Sequence, residues 1–280
     1  MSELLVARPL VIAHRGGAQL RLENTLPAFQ NAFELGADGI ELDVHLSQDG
    51  QVIVYHDYIL NPHYTIDQEG RPVQGEIPLR DLTLAEIKSY ALGKVDPQSQ
   101  YGKDHPYLVH FQPSKIPTLD EVLDILPASK MVLIEIKSRP EDEHQPLVDA
   151  VVNKIQERQL LDRALVISFN WKALDYLNAK YPNFSRCYLS ENRDDALTHP
   201  KAIPPLLEAI SKRAPTFWGP DHYDILHVER AVLKNKNLKV IPWTVNDIDV
   251  METLVNLEVH GITTDRPDLL IAHLEKREIN

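Results

Sequence analysis

The chain has 280 residues, 43% of them hydrophobic and 25% charged, with a formal net charge of −12. That is ample apolar material for a full core, at a length where an α/β barrel forms one domain. The acidic balance argues against nucleic acid or anionic membrane surfaces as general partners, so an anionic substrate must be drawn in by local cations. The single cysteine, Cys187, rules out an intrachain disulfide and favours a reducing compartment; in a β-rich run it reads as an inert core thiol. No apolar run approaches the length of a membrane span. The start, from Met1 to Gly17, lacks the charged head, long apolar region and small-residue cleavage site of a signal peptide, so a cytoplasmic location is expected. Oligomeric state leaves no mark in the sequence.

Leu10 to Ala13 is a short β-rich run ending at His14-Arg15-Gly16-Gly17. A helix follows, with Asn24 or Thr25 as its cap, Pro27 tolerated in the first turn, Leu26, Phe29 and Phe33 as its apolar stripe, and Gly36 as its stop. Gly39 to Asp57 reads as two strands around Asp49-Gly50, a pair that fits a primed hairpin turn. From about Tyr58 to Ile116 the chain is rich in Pro, Gly, Gln and Tyr and reads as an insertion with one convincing helix, since Thr83 and Glu86 have capping-box spacing.

After it, strands and helices alternate. Strands are expected at Met131 to Lys137, Ala164 to Phe169, Ser185 to Leu189, Thr216 to Trp218, Lys239 to Val245 and Gly261 to Thr264. Helices are expected at Thr118 to Leu126, Gln145 to Leu160, Lys172 to Lys180, Leu206 to Arg213, Val228 to Lys236, Ile248 to Leu257 and Pro267 to Lys276. Setting aside the hairpin's return strand, this makes eight βα units, which predict a closed parallel (β/α)8 TIM barrel spanning residues 1–280 with the insertion at 58–116. An open doubly wound sheet is the alternative, but no Gly-rich dinucleotide loop supports it.

In such a barrel the strand ends carry the active site and alternate side chains point inward. Ile40, Leu42 and Val44 then face the helices while Glu41 and Asp43 project together into the mouth, roughly 7 Å apart at their Cα atoms. The same alternation puts Ile134 and Ile136 outside and Glu135 and Lys137 inside. Three convergent carboxylates, Glu41, Asp43 and Glu135, suit a hard divalent cation, Mg²⁺ or Ca²⁺, whereas a zinc site would show His or Cys ligands. The plainer reading is an internal ion-pair network with Lys137 and Arg15. His14 ends strand one and His56 ends the hairpin's return strand, at the same mouth beside those carboxylates, and the two are candidates for general acid and general base. Arg15 and Lys137 supply fixed positive charge for an anion. Trp243 reads as core packing or as a platform at the mouth, on a face shared with Ile241 and Val245. His45 lies one step along the carboxylate face and is a candidate supporting partner.

These residues resemble the glycerophosphodiester phosphodiesterase family. The matching pieces are HRG at 14–16, ENT at 23–25, GADGIELDVHLSQDG at 36–50, HD at 56–57, LTLAEI at 82–87, IPTLDEVL at 116–123, EIK at 135–137, SF at 168–169, WTVND at 243–247 and GITTDRPDLL at 261–270. The set runs in order over most of the chain. The resemblance implies a (β/α)8 barrel with an insertion after the HD strand, and metal-dependent hydrolysis of a small-molecule glycerophosphodiester to glycerol 3-phosphate and an alcohol. It also implies Glu41, Asp43 and Glu135 as metal ligands, His14 and His56 as the acid–base pair, Arg15 and Lys137 as phosphate contacts, Glu23 near the site, and Trp243 beside the glycerol. Two departures stand out: Leu22 replaces a common proline before ENT, and YILNPHYT replaces a basic, threonine-rich run after HD. A sphingomyelinase D-like phospholipase shares HRG and ExD, but such enzymes are typically disulfide-bonded. A phospholipase C fits the barrel motifs less well, and a non-catalytic phosphate-ester binding barrel would be expected to have lost some of these groups.

Overall fold

The computed structural model describes residues 8–279 apart from 94, 109–111, 192–202, 227 and 229–237. Eight strands run parallel: β1 (Leu10–Ala13), β2 (Gly39–Leu46), β3 (Met131–Ile136), β4 (Ala164–Ser168), β5 (Arg186–Ser190), β6 (Phe217–Pro220), β7 (Lys239–Val240) and β8 (Gly261–Thr264). Each pairs with the next, and β8 pairs with β1 along its whole length. The ring closes between the last two strands through His260 N–H to Val240 O (2.8 Å) and Thr263 N–H to Pro242 O (2.9 Å). These bonds bring the parallel sheet nearly to full closure, as expected of a TIM barrel.

The apolar residues divide by strand parity. Ile40, Leu42, Val44, Val132, Ile134, Ile136, Val166, Tyr188 and Trp218 face outward into the core shared with the helices. Ile12, Leu133, Leu165, Ile167, Cys187, Leu189, Phe217 and Ile241 fill the barrel interior. Helices Leu26–Leu35, Gln145–Glu157, Trp171–Lys180, Ile203–Ser211, Ile248–Asn256 and Pro267–Ile279 form the outer ring. Thr25, not Asn24, caps the first of these, accepting from Ala28 N–H, a contact worth about 1 kcal/mol. Asn24 instead has a positive φ of 55° and turns its amide to Asp43. Most of the helix expected from Val228 to Lys236 lies outside the described residues.

The return strand Val52–Val54 pairs antiparallel with the end of β2. Its turn is not the primed one expected. Gly50 has φ +79° but Asp49 does not share the left-handed region, because Ser47 Oγ bonds Asp49 Oδ1 at 2.7 Å and accepts from Gln51 N–H at 2.8 Å.

Residues 58–116 hold more regular structure than their composition suggests. Three two-residue strands, Thr65–Ile66, Ala91–Leu92 and Ser114–Lys115, form an antiparallel sheet. The expected capping box at Thr83 and Glu86 starts a one-turn helix, and a second short helix spans Gln100–Asp104. Leu60, Tyr64, Leu79, Ile87, Leu92 and Ile116 pack against Ile53 and Tyr55 of the hairpin. Two-residue strands are too short to show alternation, which is why the sequence reads as loop. Among the described residues no helix is long and apolar enough to cross a membrane.

Candidate active site

The chain leaves β1 through three successive residues with positive φ: Arg15 (50°), Gly16 (87°) and Gly17 (91°). Such a turn is strained at a residue with a side chain. Here it is held by Arg15 N–H donating to Glu41 Oε2 (3.0 Å) and by Asn24 N–H donating to Arg15 O (2.9 Å). Gly16 is required twice over: its φ is left-handed, and a Cβ there would stand 2.7 Å from the Ala28 Cβ. The turn points His14 and Arg15 into a cavity of about 420 Å³ at the C-terminal ends of the strands.

Glu41 and Glu135 line that cavity. Asp43, fully buried, sits two residues further along β2 and opposite Glu135 in the β2–β3 register. One oxygen from each of the three lies within 4.8 Å of the others. Their partners differ. Asp43 accepts from Asn24 Nδ2 at 2.8 Å and has Arg15 Nε at 3.2 Å and Lys137 Nζ at 3.5 Å, which together hold it well below the usual carboxylate range against its burial. Glu135 has Lys137 Nζ at 3.0 Å; burial still pushes it up. Among the described residues Glu41 has the Arg15 backbone N–H and, at 3.9 Å, His14 Nε2 as partners, and burial and the neighbouring Asp43 push it up to about 8.

Arg15 and Lys137 thus form part of the ion-pair network that the plainer reading anticipated, but two cations do not neutralise three carboxylates. Among the described residues no Lys or Arg side chain pairs with Glu41, and Asp43 Oδ1 makes no hydrogen bond. An all-oxygen set with that deficit fits a hard divalent cation, which Glu41, Asp43 and Glu135 would hold.

The two histidines are held alike. His14 Nδ1 stands 2.7 Å from Asp265 Oδ1, and Asn246 Nδ2 donates to Asp265 Oδ2 at 2.7 Å. His56 Nδ1 stands 2.8 Å from Asp57 Oδ1, while Asn61 Nδ2 (2.7 Å) and the Tyr64 hydroxyl (3.1 Å) donate to Asp57 Oδ2. A carboxylate on Nδ1 selects the tautomer that leaves Nε2 free for proton transfer. His45 bonds the His56 carbonyl at 3.1 Å through Nε2, and burial pulls it down to about 4, so it is a neutral donor that fixes the His56 backbone.

The rest of the cavity wall is mostly apolar, with Leu133, Ile167, Leu189 and Ile241, and with Phe169 and Trp243 in edge-to-face contact at 5.2 Å; Glu191 also lines it. Trp243 is a wall of the cavity, tied by its indole N–H to Gly219 O at 2.9 Å. Val245 does not share its face as expected; it packs outward, because regular pairing of β7 ends at Val240. Cys187 is buried in the barrel, where the lack of solvation pushes its thiol up, in keeping with an inert role. Glu23 lies behind Arg15, accepting from it at 2.9 Å, and does not line the cavity.

The sequence reading assigned no role to Asp265, Asn246, Asp57, Tyr64, Phe169 or Tyr101. Asp265, Asn246, Asp57 and Phe169 lie within the motif pieces, and Asp265 also has the signal of a polar residue just past a barrel strand. Tyr64 and Tyr101 carry no such signal.

The chain matches the model of the glycerophosphoryl diester phosphodiesterase family over residues 14–269. It is 33% identical over 270 residues to a glycerophosphodiester phosphodiesterase of Caldanaerobacter subterraneus, covering 96% of this chain and 99% of that protein. Among solved structures it resembles a putative glycerophosphoryl diester phosphodiesterase from Silicibacter pomeroyi, with a TM-score of 0.86, 27% identity and coverage of 97% and 94%. It shares its fold with a phosphodiesterase from Oleispira antarctica, solved in complex with the product sn-glycerol-3-phosphate, at a TM-score of 0.72, 23% identity and coverage of 96% and 98%. The chain therefore belongs to the glycerophosphoryl diester phosphodiesterase family, and is an enzyme that hydrolyses phosphoric diesters.

Proposed function

We propose that the protein hydrolyses glycerophosphodiesters to sn-glycerol 3-phosphate and an alcohol, using one divalent cation, Mg²⁺ or Ca²⁺, held by Glu41, Asp43 and Glu135, with His14 and His56 as the acid–base pair. The observation that carries this reading is the pair of carboxylate-held histidines flanking one under-neutralised acidic cluster in the same cavity. A bound cation would lower the charge on the phosphoryl group and acidify the attacking hydroxyl. Arg15 and Lys137 bind the phosphoryl oxygens. One imidazole accepts the proton of the attacking oxygen as its bond to phosphorus forms. The other gives a proton to the leaving alkoxide as the second phosphorus–oxygen bond breaks. Each transfer contributes on the order of 10² to 10⁴ in rate. Trp243 and Phe169 pack against the carbon skeleton of the glycerol. The absence of disulfide chemistry and the acidic charge favour a cytoplasmic setting.

Residues 58–116 act, in this reading, as an inserted subdomain that selects the alcohol. A second cleft of about 440 Å³ supports it: Lys137 borders both cavities, and the second is walled by Tyr58, Glu76 and Arg80 from this segment. Shortening the segment should change which headgroups are accepted.

The test is release of glycerol 3-phosphate from glycerophosphocholine and glycerophosphoethanolamine, with and without EDTA. Release that EDTA abolishes and Mg²⁺ or Ca²⁺ restores is expected. No release from any glycerophosphodiester with either metal refutes the substrate assignment, and full activity of a demonstrably metal-free protein refutes the cation.

A further inference from the structure

Two tyrosines of the 58–116 segment reach the site from behind. The Tyr101 hydroxyl donates to Glu23 Oε2 at 3.2 Å, and Glu23 Oε1 accepts from Arg15 at 2.9 Å. Among the described residues Tyr101 is the hydrogen-bond donor to that second oxygen, and Glu23 is buried. The Tyr64 hydroxyl donates to Asp57 Oδ2, whose other oxygen holds His56 Nδ1. The two rings touch, with centroids 4.9 Å apart, and His105 stacks on the far face of Tyr101 at 4.3 Å.

From these contacts we infer that Tyr101 and Tyr64 are positioning residues, through which the 58–116 segment sets both the phosphate-binding guanidinium of Arg15 and the imidazole of His56. The inference rests on the function proposed above. Its physical basis is that a carboxylate aims its partner best when both of its oxygens are fixed, a condition that Tyr101 completes for buried Glu23 and that Tyr64 shares with Asn61 for half-buried Asp57. With one oxygen unbonded, the group can turn about its terminal torsion, which has a broad energy well. Arg15 is especially sensitive, since its guanidinium stands 3.2 Å from Asp43 at an angle too oblique for a hydrogen bond and takes its direction from Glu23. Ring contact between the tyrosines makes the two arms one unit, so the segment supports chemistry as well as shaping a cleft.

The test uses Tyr101→Phe and Tyr64→Phe, which keep the rings and remove one hydroxyl each. Tyr101→Phe should raise KM for glycerophosphoethanolamine and the Kd for inorganic phosphate by about three- to tenfold with kcat little changed, as expected for one hydrogen bond acting through a second. Tyr64→Phe should lower kcat about two- to fivefold at unchanged KM, less than a full deletion because Asn61 still holds Asp57. Tyr101→Ala, which also removes the support behind Tyr64, should show both effects. Parental KM, phosphate Kd and kcat in the two Phe variants, whatever happens to their melting temperatures, overturn the inference and leave the proposed function standing. A parent protein inactive on glycerophosphodiesters, but with phosphate affinity that still falls in Tyr101→Phe, overturns the substrate assignment and supports the tyrosine relay.

Discussion

Asp265→Asn tests how His14 is set. In the native arrangement Asp265 offers one oxygen to His14 Nδ1 and the other to Asn246 Nδ2, each at 2.7 Å. Asn246 cannot turn over without loss, because its own oxygen accepts from Asp265 N–H at 2.9 Å and from Thr264 Oγ1 at 3.2 Å. An asparagine at 265 has one oxygen to share between two donors. Keeping the bond to Asn246 turns its NH₂ toward His14, which must then accept at Nδ1 and carry its proton on Nε2. In that tautomer Nε2 cannot take a proton, and the imidazolium loses the anion that supports it. A hydrogen bond to a charged group is worth about 1.5–3 kcal/mol, so kcat should fall roughly 10- to 150-fold with KM within about threefold. The assay is coupled release of glycerol 3-phosphate, with a thermal melt to establish that the variant is folded. A folded Asp265→Asn protein with parental kcat refutes the role given to this contact, and an equal rise in KM without loss of kcat reassigns it to binding.

Glu41→Gln should abolish the melting-temperature increase produced by Mg²⁺ or Ca²⁺ while leaving the EDTA-treated protein at least as stable as its parent, since it removes a carboxylate whose charge is disfavoured by burial and by Asp43; a retained metal-induced shift argues against Glu41 as a ligand. Asp57 is held at about 2, against an ordinary 3.8, by His56, Asn61 and Tyr64 in spite of burial, so its contribution is present above about pH 4 and lost as pH falls through 2. Asp57→Asn should therefore cost about 1–2 kcal/mol at pH 6, allowing for partial exposure, with the difference shrinking as pH falls and vanishing only below pH 2; a difference independent of pH, measured by denaturant titration, contradicts this. Gly16→Ala puts a Cβ 2.7 Å from Ala28 at φ +87° and should cost about 2–4 kcal/mol, several degrees of melting temperature, whereas an unchanged melt would mean that the turn can relax.

Local sequence determined a great deal here. Alternation in GIELDVHL and in IEIK at 134–137 carried the parity of the barrel, and with it the inward aim of Glu41, Asp43 and Glu135, because side-chain direction in a strand has a fixed period of two. Chain order of the motifs carried the eightfold repeat, and the capping box at Thr83 was legible because its two bonds span three residues. What the tertiary structure alone decided is which group holds which. Asp265 is 251 residues from His14 and becomes its partner only because β8 closes beside β1. Tyr101 reaches Glu23 across 78 residues through a segment whose strands are too short to show a period. Arg15 and Lys137 read equally well as phosphate contacts or as counter-ions, and the distances show them sharing Asp43, with Arg15 also on Glu23 and Lys137 also on Glu135. Periodicity and capping are short-range signals, whereas a proton-transfer site is assembled from the ends of several strands, and its pairings exist only once the barrel has closed.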